Sequence, residues 1–141
     1  MVKGARYTYF GAAVLFLVGV LTQVFLAGMV VVAIRMGWDA HIGLGHTLAG
    51  PLLIMLISMY LGKLPGPMKR LTWLLFLVYV LQADVIIFLR FQAPVISALH
   101  PVLALVDFAL GWALAQQAWG LLRQPAVSTA AQGEIRVPAS Q

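Results

Sequence analysis

Cysteine is absent from this 141-residue chain. That excludes disulfides, thiolate metal sites, iron–sulfur ligation and thioether-attached haem. Any metal has to be held by His, Asp or Glu, or arrive inside a cofactor. Charge is almost as scarce, at 9% of residues, where a soluble domain carries roughly 25%. Acidic residues number only four. No Ser/His/Asp nucleophile arrangement, phosphate-binding glycine loop or other catalytic motif is present. The net charge of +5 comes from cations scattered at segment ends, not gathered on one face, so nucleic acid is not an expected partner.

What fills the chain instead is apolar. Hydrophobic residues make up 62% of it, more than one small core can hide, so lipid has to cover the excess. Four apolar segments run from about 7–34, 41–61, 71–89 and 94–122. Each is long enough to cross a hydrocarbon layer of about 30 Å. The first is too long for the ~7–15-residue core of a secretory signal. Short polar connections such as RMGWDA and GKLPGPMKR force neighbouring segments antiparallel.

The expected fold is therefore all-α, a polytopic membrane protein with a four-transmembrane-helix up-down bundle over residues 1–122. A polar tail at 123–141 is expected to be disordered. Pro51 should kink the second helix, with the Thr47 hydroxyl sharing in the repair. Pro94 and Pro101 both suit a first helical turn. No internal repeat is legible. Seven cations (Lys3, Arg6, Lys63, Lys69, Arg70, Arg123 and Arg136) fall on the side of the termini, against Arg35 and Arg90 on the other. That imbalance predicts both termini in the cytoplasm.

An ionisable residue inside a membrane is a functional-site candidate by default. The densest such stretch is DAHIGLGHTLAGP, from Asp39 to Pro51. His46 lies one to two turns into the second helix. His100 lies near the outer end of the fourth, with Asp107 about two turns deeper on the same face. Gln82 and Asp84 lie on the third helix and Gln23 on the first, so every helix offers a polar group to one half of the bundle. Asp84 and Asp107 serve as interhelical hydrogen-bonders, as a proton or quinone site, or as orienters of a histidine. His41 is expected at the interface. It stands about 140° from His46 around the helix, so Asp39, His41 and His46 form no local metal site.

In a square bundle the second and fourth helices are diagonal, roughly 11–14 Å apart for neighbours at about 8–10 Å. That span suits one haem b iron between His46 and His100. Gly45, Ala49, Gly50, Ala104 and Gly111 leave room for the macrocycle, and Arg35 and Arg90 pair with its propionates. In this outline the chain resembles the four-helix, bis-histidine b-type membrane cytochromes, although two-haem members need four histidines and this chain has three. The segments HIGLGH and ALHP also look like those of a family of small bacterial four-helix integral membrane proteins of unassigned function. These likenesses imply a bacterial inner-membrane protein that passes electrons to or from quinone or a redox partner subunit, alone or as a homo-oligomer. The alternatives are a cofactor-free accessory protein that stabilises a larger complex, and a proton-coupled transporter subunit.

Overall fold

Uninterrupted apolar sequence propagates as helix where backbone polar groups have to be satisfied within the chain. The structure, a computed structural model, describes residues 1–33 and 37–124. Its elements are α1 (Val2–Ala33), α2 (Asp39–Thr47), α3 (Ala49–Leu61), α4 (Gly66–Val80), a π-helical turn (Leu81–Val85), α5 (Ile86–Phe88), α6 (Pro94–Ser97) and α7 (His100–Arg123). They join into four helical spans, each long and apolar enough to cross a membrane: Val2–Ala33, Asp39–Leu61, Gly66–Phe88 and Pro94–Arg123.

Several boundaries differ from expectation. α1 starts at Val2, because nothing in its basic first turns breaks a helix. α4 starts at Gly66, five residues early, because Pro67 fits its first turn. The second span is interrupted at Leu48 and not at Pro51. The Thr47 hydroxyl donates to the Gly43 carbonyl at 2.8 Å and takes no part in repair at the proline. Pro94 and Pro101 both lie in first helical turns, as their chemistry requires. The tail expected to be disordered lies, beyond Gln124, outside the described residues.

α1 lies against α3 and α7, and α4 lies against α7 and, less closely, α3. The spans therefore follow chain order around the bundle, with the second and fourth diagonal. The first and third meet across the centre. Tyr9 donates its hydroxyl to Thr72 Oγ1 at 2.6 Å, and Thr72 passes its own proton to the Met68 carbonyl. Phe16 meets Tyr79 edge-on, with ring centres 6.2 Å apart. Leu52, Met55, Met59, Leu75 and Leu114 complete a fully buried core. Leu15, Phe25, Leu77, Phe88 and Leu105 face outward. An outer surface as apolar as the core fits a lipid environment.

The α3–α4 turn closes the end that carries the chain termini. Lys63 takes a left-handed φ of 49° there. Its N–H reaches the Tyr60 carbonyl, and the Leu64 N–H reaches back to Met59. These two bonds form a Schellman motif, whose apolar contact is supplied by buried Leu64 and Met59. Arg6 Nε donates to the Gly62 carbonyl at 3.0 Å and ties the start of α1 to this turn. The opposite end, with Asp39 and Arg90, is called the distal end below.

Candidate functional site: a histidine pair at the distal end

A buried histidine needs partners for both ring nitrogens. At the distal end two histidines obtain the first partner in the same way. His41, in the first turn of α2, places Nδ1 3.1 Å from the Gln23 carbonyl of α1. His100, the first residue of α7, places Nδ1 3.0 Å from the Gln82 carbonyl of the π-helical turn. Nδ1 donates in each, since a carbonyl oxygen only accepts, and so Nε2 carries no proton in the neutral ring. The two rings meet at a centroid distance of 6.1 Å and an interplanar angle of 69°. Trp38 packs edge-on against His41 from the outer side, at 5.5 Å.

Four residues beyond each imidazole, on the same helix face, stand small residues: Gly45 after His41 and Ala104 after His100. The Gln23 amide occupies the space that a Cβ on Gly45 would take, and Tyr79 donates its hydroxyl to the Gly45 carbonyl at 2.6 Å. Deeper in the bundle, Gln82 Nε2 donates to Asp107 Oδ2 at 2.7 Å. Asp107 is fully buried and Gln82 nearly so.

The expected pairing of His46 with His100 is corrected by this arrangement. His46 sits on the exposed face of α2, and its Nδ1 lies 3.0 Å from the Ile42 carbonyl of its own helix. Because α2 turns His41 inward, His46 is carried about 140° away from it. His41, expected only at the interface, takes the inward place. Gly50 is exposed with open space beside it, so it lines no site. Asp84 is exposed and outside the cluster. Arg90 lies over the Phe91 ring at 4.5 Å, exposed at the distal end. Arg35 is outside the described residues. Gln23, Gln82, Asp107 and His100 do come to the same half of the bundle.

The equivalence of the two histidines extends through the chain. Each contacts a glutamine carbonyl 18 residues before it, and the second pair lies 59 residues after the first. The same offset carries buried Tyr9 to Met68, Phe16 to Leu75, Val20 to Tyr79 and Leu48 to Asp107. It also carries Leu52 to Gly111, Met55 to Leu114 and Met59 to Ala118, all buried. The first two spans and the last two are thus structural repeats. The sequence signal was Gln-x17-His occurring twice.

Fold and site together describe an all-helical bundle of four membrane-competent spans with a polar cluster near one end. The model of a family of unknown function, DUF6220, matches residues 23–89. The matched region includes Gln23, His41 and Gln82, while His100 lies beyond it. No curated protein and no solved structure matches the chain.

Proposed function

We propose that this chain is a multi-pass protein of a bacterial inner membrane that holds one haem b between His41 and His100 and serves electron transfer. The observation that carries the reading is the doubly anchored imidazole pair. Metal-ligating histidines donate their other ring nitrogen to a carbonyl or carboxylate, which fixes the ring and leaves the second nitrogen for the metal. Both rings here are held in that way. These two imidazoles would hold the iron through Nε2, and bonds of about 2 Å each would set their ring centres about 6 Å apart. The pair stands at 6.1 Å.

When bound, the iron porphyrin supplies reversible one-electron transfer. The chain's residues supply the rest. The Gln23 and Gln82 carbonyls set the imidazole tautomer, and Trp38 packs against the His41 ring at the distal end. A reduced-minus-oxidised visible spectrum of the detergent-purified protein, expressed with ample haem, tests this. Sharp b-type bands are expected, and a flat spectrum overturns the reading. The edge-to-face contact of the two rings favours a second reading, in which the pair is a hydrogen-bonded latch of a cofactor-free accessory protein. A flat spectrum would select it.

The cation imbalance supports cytoplasmic termini. A fluorescent protein fused after Gln141 should therefore fold and fluoresce, while alkaline phosphatase at the same point stays inactive. The opposite pair of results would invert the topology.

A further inference from the structure

Beneath the histidine pair lies a polar group that the electron-transfer reading does not use. Asp107 is fully buried and receives a single hydrogen bond, from Gln82 Nε2. Its other oxygen, Oδ1, has no partner, and neither has Gln82 Oε1. A buried acceptor left unmatched loses its hydrogen bonds to water and gains none in return, so two on one joined pair need an explanation. Both are acceptors, and what they lack is a donor. One proton on Oδ1 makes that oxygen a donor and offers Oε1 the partner it lacks. Further, Gln82 lies in the π-helical turn Leu81–Val85, an irregularity that recurs at functional sites. In the other repeat the position of Asp107 is held by Leu48, so the bundle's packing alone does not call for a carboxyl there.

We propose that the Asp107–Gln82 pair is an exchangeable proton site inside the bundle, reached from the distal end past His100. On release the Asp107 O–H bond breaks, its electron pair stays on the carboxylate, and the proton passes to water at the His100 end. The Gln82 N–H already directed at Oδ2 then stabilises the anion. The titratable group facing this region is Tyr79 of α4, with His41 and His100 above, while Asp84 of the π-helical turn is near but exposed. α1 brings none nearer than Tyr9, which belongs to the end carrying the termini. The site stands on these contacts whether or not a metal binds the histidines.

Infrared difference spectroscopy in lipid nanodiscs tests it directly, because only four carboxyl side chains are present. The expected result is a protonated-carboxyl C=O band that changes reversibly with pH and shifts in deuterium oxide. It is lost in Asp107→Asn and retained in Asp84→Asn. Gln82→Leu should move the band, since the carboxyl then loses its amide partner, and this variant serves if Asp107→Asn does not fold. A band at position 107 that ignores deuterium marks a sealed structural hydrogen bond and overturns the proposal. So does a carboxyl that stays ionised until acid unfolds the protein, or a band unchanged by Gln82→Leu.

Discussion

Alanine at position 41 or at position 100 is expected to abolish the b-type spectrum, while His46→Ala leaves it intact. If the proposed haem is bound, removing either imidazole would take away one of its two candidate ligands, and the exposed His46 does not face the pair to replace it. His46, bonded to its own helix and exposed, is the internal control. The outcome also decides between the two geometries. Were the spectrum lost in His46→Ala and kept in His41→Ala, the pairing expected from the sequence would stand and the one drawn from the bundle would fall. Equal loss from His41→Ala and His100→Ala would further match the equivalence of their anchors.

Phe16→Ala should cost about 3–5 kcal/mol of unfolding free energy, the range for emptying a buried aromatic site. The Phe16 ring is fully buried, meets Tyr79 across the bundle and packs where α1 passes Gly111 of α7. A Cβ on Gly111 would stand only 3.2–3.3 Å from Leu17 and Phe16, so these helices are in close contact and cannot close further over a cavity. Leu15→Ala, one residue away and 57% exposed, should cost little. In a membrane, lipid would contact that side chain in the folded and the unfolded state alike. Unfolding by increasing dodecyl sulfate in mixed micelles measures both. Equal costs at the two positions would refute the inside–outside assignment of α1.

The architecture was largely legible before any coordinates. Apolar length marked four spans, the short connections implied their antiparallel order, and Pro94 and Pro101 marked two helix starts. The membership of the polar cluster was only partly legible. Gln23, Gln82, His100 and Asp107 follow from depth along the spans, because depth depends on residue count alone. Which of His41 and His46 faces inward depends on the rotation of a nine-residue helix, and α2 is too short and too weakly amphipathic to show it. The π-helical turn left no trace in composition. The repeat was hidden because most buried positions at this offset hold side chains of different kind and size, such as Tyr9 and Met68 or Leu52 and Gly111. The glutamines and histidines are the polar residues that match at this offset, and two pairs among so many apolar residues are easily passed over.

The repeats have a consequence for how the chain is put together. Both hairpins run in the same sense, so the axis that relates them lies along the bundle and not across it. In effect the molecule is a dimer whose subunits have been joined end to end at the Lys63 turn. The other pair of ends is also adjacent, since Phe10 near the start of α1 stacks on Trp119 near the end of α7 at 5.3 Å. The order of the halves is then a matter of which neighbouring ends are linked. A single gene with two such halves also escapes the constraint on a true dimer, in which every substitution appears twice. One half has kept Val20 and Leu48, while the other carries Tyr79 and Asp107 at the same places. The two matched histidines therefore have an acid beneath them on one side only.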